Sequence, residues 1–331
     1  MNWFTRAAAT SQQLSLISTQ EASRQGLREA DLDHLLLALV ISEQSAGRAL
    51  RRLGITLPAA RAAVEAQHAA QLALLGIDAP RPAPGPIVFH ETAGYDWTAR
   101  ARDLITHVTD EKKRGDAAAV LRDLLAEPSG LITQILQRLE TTPGAVLDTL
   151  AEIERGEHDT TAKPRRATSR GETSVSVTSF VPASADDIWA LISDPLRMPE
   201  WHVAVGRMDA APVAGTANQW TGYAHTTRPD GKPLRVKDQY VRRVIERVSV
   251  TQPTSVVWRM SMPDAPHTVV RELSLDLTSA EGGTNLRLTE VAPPSRGWRR
   301  IVWAPLRPLR RFVGWLTLFQ AGWGVSRAFR A

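Results

Sequence analysis

The hydrophobic period of this chain changes once, and that change limits what it can fold into. Up to about residue 150 the apolar residues recur at helical spacing; from about residue 173 they alternate with polar ones at every second position. Helices repeat a face every 3.6 residues and strands every two, so the two stretches build different kinds of domain. In the first stretch Leu35, Leu36, Leu39 and Val40, then Ala46, Ala49, Leu50 and Leu53, keep helical spacing, as do Leu121, Leu124 and Leu125, then Ile132, Ile135, Leu136 and Leu139. Between the two regimes, residues 153–172 carry almost nothing apolar. Such a segment cannot bury enough surface to offset its ordering entropy and is expected to be a flexible linker. At 331 residues the chain is long enough for two or three domains.

The helical part is written twice, about 85 residues apart. The first copy runs from Phe4-Thr5-Arg6-Ala7 through Leu32-Asp33-His34-Leu35-Leu36-Leu37 to Leu53-Gly54, and the second from Trp97-Thr98-Ala99-Arg100 through Val120-Leu121 to Leu139. Thr56-Leu57-Pro58 after copy one is echoed by Thr141-Thr142-Pro143 after copy two. Repeats of this size stack as small bundles that bury one another's apolar faces. Gly54 follows Arg51-Arg52, where a C′ glycine and dipole-complementing cations belong at a helix end. This pattern resembles the double-repeat N-terminal domain of the Clp ATP-dependent chaperones. The resemblance covers 1–152, with repeats over about 1–70 and 95–152, and implies an all-α module that docks adaptors or substrates. It points to Asp33 and His34 as docking residues, His34 matching the histidine of the family's Glu-His-Leu-Leu signature. Some members read phosphorylated arginine through the preceding glutamate; here Asp33 stands there, and copy two has only Ala118 and Ala119, so that activity is not expected. His34 is expected to open a helix with its ring satisfied by a backbone carbonyl.

In the second regime Val175 and Val177 alternate with Ser176 and Thr178 in a strand. Ser184 and Asp187 form a capping-box pattern ahead of Ile188-Trp189-Ala190-Leu191-Ile192, which Ser193-Asp194-Pro195 stops. Strands are expected near 204–211, 218–226, 235–250, 255–262, 267–278 and 284–291, separated by Gly- and Pro-containing turns. Residues 296–331 read as a helix broken or delayed by Pro305 and Pro308. The layout is α+β. The opening Pro182-Ala183-Ser184-Ala185-Asp186-Asp187-Ile188-Trp189, with Pro199-Glu200-Trp201 and the late Gly282-Gly283-Thr284, resembles the START-like, SRPBCC or polyketide cyclase/dehydrase superfamily. That resemblance covers about 172–331. It implies a helix-grip fold, in which a curved antiparallel sheet wraps the C-terminal helix around a cavity for a hydrophobic, lipid- or polyketide-like small molecule.

Strand parity selects the residues that share a face. Arg271 falls with Leu273, Leu275 and Leu277; Glu290 falls with Leu286 and Leu288; Trp258 and Met260 fall with Val256. A mostly apolar face with one cation and one anion suits a small-molecule pocket. Alternatively, that pair is solvated at the strand ends or joined to itself. The candidate cavity residues are Trp220, Tyr223, Tyr240, Trp258, Met260, Arg271 and Glu290, with Trp315 and Phe319 from the closing helix; His225 is a further candidate. Core packing competes as the reason for each aromatic, since burying one stabilises by roughly 1.5–3 kcal/mol in any protein. His202 is expected on an exposed loop. No catalytic residue is assigned.

The net charge of +5 sits in the tail: residues 296–331 hold eight arginines and no acid, leaving 5 − 8 = −3 on the remainder. Any anionic partner is therefore localised, nucleic acid is not expected, and 296–311 is the candidate for peripheral membrane contact. The absence of cysteine removes disulfides and thiolate chemistry. Neither Gly-x-x-x-x-Gly-Lys-Ser/Thr, His-Glu-x-x-His nor Gly-x-Ser-x-Gly occurs, so no ATPase, zincin or α/β-hydrolase is indicated. No metal or cofactor is implied, and without a signal peptide or an apolar run of spanning length the expected location is the cytoplasm. The expected function is non-catalytic binding of a hydrophobic small molecule coupled to a protein-docking module, an adaptor or sensor linked to Clp-type proteolysis or stress. The rivals are an aromatase/cyclase-like enzyme, with Arg271, Glu290, Tyr240 or His202 as acid and base, and a peripheral membrane protein.

Overall fold

The computed structural model describes residues 3–77, 85, 87, 96–110, 116–159, 173–227, 232–268, 270–292 and 307–330. The chain divides into two units, with the boundary between positions 162 and 163. The expected linker lies largely outside the described residues.

The first unit is helical. Helices α1 (Trp3–Arg24), α2 (Leu32–Val40), α3 (Ser45–Arg52) and α4 (Leu57–Leu74) are followed by α5 (Ala99–Asp110), α6 (Ala117–Leu125), α7 (Leu131–Arg138) and α8 (Pro143–Asp159). A short parallel pair, β1 (Glu29–Ala30) with β2 (Asp96–Trp97), joins the two sets. Helix α2 is buried along its whole length, from Leu32 to Val40. An all-round apolar helix is stable only at the centre of a bundle, and α2 packs on α1, α3, α4, α5, α6 and α7. The two sets share their stop signals. After α3 the Gly54 N–H donates to Arg51 O and the Ile55 N–H to Leu50 O; after α7 the Glu140 N–H donates to Gln137 O and the Thr141 N–H to Leu136 O. Both are the paired bonds of a Schellman stop, with Gly54 at φ 78° and Glu140 at φ 56°. Thr56 then caps α4 and Thr142 caps α8 through the N–H three residues on.

The second unit is one antiparallel sheet with helices. The strands are β3 (Thr173–Val181), β4 (Arg207–Pro212), β5 (Gln219–Tyr223), β6 (Arg242–Thr251), β7 (Ser255–Ser261), β8 (Arg271–Ala280) and β9 (Gly283–Ala292), in the order β3-β9-β8-β7-β6-β5-β4. Helices α9 (Ala185–Ile192) and α10 (Met198–Trp201) follow β3, and α11 (Arg307–Ala328) packs on β3, β9 and α10. Ser184 caps α9 by accepting the Asp187 N–H at 3.1 Å; its hydroxyl donates to Asp187 Oδ2 at 2.6 Å, so the box closes through the side chains. The strand expected over 235–250 begins only at Arg242. A 3₁₀ turn over Asp238–Tyr240 precedes it, which removes Tyr240 from strand parity. Pro308 sits in the first turn of α11, where its missing N–H costs nothing.

The core face of the sheet follows the register. Trp220 lies opposite Ile245, Ile245 opposite Met260 and Met260 opposite Arg271. In the next row Trp258 faces Leu273, Leu273 faces Glu290 and Glu290 faces Val175. Leu318, Ala321 and Val325 of α11 are buried in the same cluster. Small residues let the helix approach: a Cβ at Gly322 would lie 3.0 Å from Leu288, and one at Gly324 only 2.4 Å from Trp201 O.

Candidate ligand-binding site

The sheet face beneath α11 unites most of the sequence-selected residues. Arg271 and Glu290 share it as parity requires, and they are joined: Arg271 Nη1 lies 2.6 Å from Glu290 Oε1, with side chains 50% and 12% exposed. Trp258 is buried and donates its indole N–H to Ile192 O at 3.1 Å, tying the sheet to the end of α9. It meets Trp220 edge-to-face at 6.2 Å. Their burial and edge-to-face contact are those of core residues. Met260 is half-buried against the same cluster. Trp315 and Phe319 stack at 5.3 Å on a half-buried flank of α11, and Phe312 continues the stack at 6.1 Å while 53% exposed.

Three candidates are placed differently. Tyr223 has the opposite parity to Trp220; its hydroxyl donates to Asp209 Oδ2 at 3.1 Å and Arg207 covers its ring at 4.0 Å, so it belongs to the outer face. His225 is exposed beyond the end of β5. Tyr240 is half-buried in its 3₁₀ turn.

His202 is the reverse of its expectation. It is buried, 7% exposed, with its ring edge-on to Trp201 at 5.4 Å. The Ala204 N–H donates to Nδ1 at 3.2 Å, which assigns the proton of the neutral ring to Nε2. Burial, and then the charge of Arg243, push its pKa down to about 4. Arg243 is the residue sequence reasoning missed. It shares the core face with Ile245, opposite Gly222, and donates from Nη1 to Met260 Sδ at 3.5 Å, while burial lowers its pKa. Its signal was present in Arg243, Ile245 and Arg247 at alternate positions, but the pairing with Gly222 that sets this face against the core is not legible in the period alone. Arg242 does pair outward, with Asp264. Arg247 turns to Ser193 O at 3.4 Å and to the Trp220 ring at 5.5 Å.

In the helical unit Asp33 and His34 are each 1% exposed. Asp33 Oδ1 accepts the His34 N–H at 2.8 Å, and Oδ2 lies 2.9 Å from His68 Nε2. Burial raises the pKa of Asp33, but the His34 and His68 contacts outweigh it and hold the carboxyl well below the usual range. The ring of His34 accepts a backbone N–H, that of Asp31 at 3.1 Å, instead of donating to a carbonyl; this completes the capping box of α2. The cluster floors an open cleft of about 400 Å³ also lined by Leu27, Glu29 and Thr98. A second cleft of about 540 Å³ between α4 and α7 is lined by Gln67, Gln71, Gln134, Gln137 and Arg138. The membrane candidate at 296–311 lies outside the described residues except for the helical backbone of 307–311. No helix among the described residues is long and apolar enough to cross a membrane.

Residues 172–315 match the family described as polyketide cyclase / dehydrase and lipid transport. The C-terminal region carries a polyketide cyclase/dehydrase domain. This domain contains the sheet face described above, while the helical unit lies outside the matched span. The di-domain ARO/CYC StfQ of the steffimycin biosynthetic pathway is 18% identical over 58% of this chain and 58% of its own, with a TM-score of 0.34. DynU16, from the dynemicin biosynthetic locus, is 19% identical over 48% of this chain and 47% of its own, TM-score 0.31. A START superfamily protein from Mycobacterium smegmatis is 14% identical over 48% of this chain and 97% of its own, TM-score 0.32. The match thus spans little more than half of StfQ and less than half of DynU16. No curated protein matches the chain.

Proposed function

We propose that the polyketide cyclase/dehydrase domain binds a hydrophobic, lipid- or polyketide-like small molecule without transforming it, and that the helical unit docks a protein, as an adaptor or sensor beside a Clp-type machine. The ligand half rests on the Arg271–Glu290 pair: this cation and this anion of the apolar sheet face are joined to each other at 2.6 Å, so neither stands as an unpaired charge facing a substrate. The docking half rests on the twofold helical repeat and on the two open clefts beside α4.

Native mass spectrometry of the protein purified from its own host, followed by denaturing release, tests the ligand half. A co-purifying hydrophobic compound is expected; an empty protein that takes up no lipid or aromatic in a screen overturns the reading. Retention of a Clp component on the immobilised helical unit is expected, and its absence overturns the adaptor role. Catalysis on an aromatic or polyketide substrate is the second reading, favoured by the burial of His202 beside Arg243. Turnover of a released ligand by the purified protein would establish it.

A further inference from the structure

The arginines of the sheet sort by how their charge is met. Arg242 pairs with Asp264, Arg259 with Glu246 and Glu272, and Arg271 with Glu290. Arg247 uses a carbonyl and an indole face. Arg243 has no carboxylate within ion-pair distance among the described residues, and its buried Nε has no hydrogen-bond partner. Among the described residues its one hydrogen-bond contact is the thioether of Met260, a weak acceptor that does not neutralise a charge.

Taking a guanidinium out of water without a counter-charge costs several kcal/mol. A sequence that needed only packing there would place a neutral residue opposite Gly222. Instead the cation stands among Ile245, Met260 and Met208, all of them in or against the domain core. Close by is His202, kept neutral with its proton on Nε2. A half-buried cation with no carboxylate partner among the described residues, a buried histidine carrying an N–H donor, and an apolar surround suit an oxygen anion on a hydrophobic body.

We propose that the compound held by this domain is an amphiphilic anion, a carboxylate or an acidic enol or phenol on an apolar skeleton, whose charged oxygen is met by the Arg243 guanidinium beside the Nε2–H of His202. This rests on the reading that the domain takes a hydrophobic ligand, and it specifies the ligand's charge and the residue that selects it.

Two fluorescent probes of nearly the same shape separate the two readings in the full-length protein. 1-Anilinonaphthalene-8-sulfonate carries an anion; N-phenyl-1-naphthylamine lacks it. The expected result is tighter binding of the sulfonate by wild type. Arg243→Gln is expected to lose about tenfold or more in sulfonate affinity, the scale of one charge-assisted hydrogen bond, with the neutral probe changed less than about twofold. Arg242→Gln, on the opposite face of the same strand, is expected to bind both probes as wild type does. Equal affinity of wild type for the two probes overturns the proposal and leaves hydrophobic binding standing, even if Arg243→Gln fails to fold. Unchanged sulfonate affinity in a folded Arg243→Gln also overturns it. Uptake of neither probe overturns the binding reading along with it. Displacement of the sulfonate by decanoate points to a fatty carboxylate as the anion's source, and displacement by 2-naphthoate to a planar aromatic acid.

Discussion

Arg271 and Glu290 are joined across β8 and β9 although they are not directly opposite: Leu273 faces Glu290 in the register, and Arg271 reaches it diagonally at 2.6 Å. The two partners are unequally exposed, Arg271 being 50% and Glu290 12% accessible. Their removal is therefore unequal. Glu290→Gln leaves a half-exposed guanidinium that water can solvate, and the change in stability is expected to stay below about 1 kcal/mol. Arg271→Met leaves a more buried carboxylate without its partner and is expected to cost roughly 1–3 kcal/mol. Urea unfolding followed by tryptophan fluorescence reads this domain, since eight of the ten tryptophans lie beyond residue 172. Equal losses for the two variants would contradict the assignment.

Glu140 ends α7 at φ 56° in the position that Gly54 holds at φ 78° after α3. The left-handed conformation is costly for a residue with a Cβ. Glu140→Gly is expected to stabilise the helical unit by about 0.5–1 kcal/mol, and Gly54→Ala to destabilise it by a similar amount. Thermal unfolding followed by far-ultraviolet circular dichroism checks both. The prediction fails if both substitutions move the midpoint in the same direction.

The elements legible in the sequence were those with a local cause. Ser184 announces α9 because a cap needs only its own next three residues, and Gly54 announces the end of α3 because only the backbone angle there matters. The shared face of Arg271, Leu273 and Leu275 followed from a period of two within one unbroken strand. What stayed hidden depended on contacts distant in sequence. His202 reads as a loop residue, yet it is buried against Trp201 and beside Arg243, 41 positions on (243 − 202). Tyr223 and Trp220 look equivalent until the pairing of Tyr223 with Arg207 and Arg242, and of Trp220 with Ile245, assigns them opposite faces. The burial of Asp33 required knowing that His68, from another helix, closes over it.

Gly324 sets how closely α11 approaches α10. A Cβ built there would lie 2.4 Å from Trp201 O, a backbone atom that cannot swing aside. Gly324→Ala gains helix propensity of about 1 kcal/mol, but the helix must shift off Trp201, and overpacking of this kind costs typically 1–3 kcal/mol. Net destabilisation is expected, together with weaker binding of any hydrophobic probe that α11 covers. Gly156→Ala serves as the control, since nothing lies within 4 Å of its added Cβ. A stabilised Gly324→Ala would mean that the helix does not rest on Trp201.

Stability of the domain should fall in mild acid because of His202. In the unfolded chain its pKa is near the ordinary 6.5, whereas in the fold burial and the Arg243 charge bring it to about 4. Above pH 6.5 the ring is neutral in both states and titration brings no penalty. As pH falls from 6.5 towards 4 the unfolded state takes up the proton first, so unfolding is favoured by about 1.4 kcal/mol per pH unit, roughly 3 kcal/mol over the window. His202→Gln is expected to flatten that part of the stability–pH curve. Arg243→Gln is expected to narrow the window, because removing the nearby cation lets the native imidazole accept its proton at higher pH while burial still holds it below 6.5. Denaturant midpoints at half-unit steps from pH 4 to 7.5 distinguish the cases, and a wild-type slope unchanged in His202→Gln would show that other groups carry the acid sensitivity.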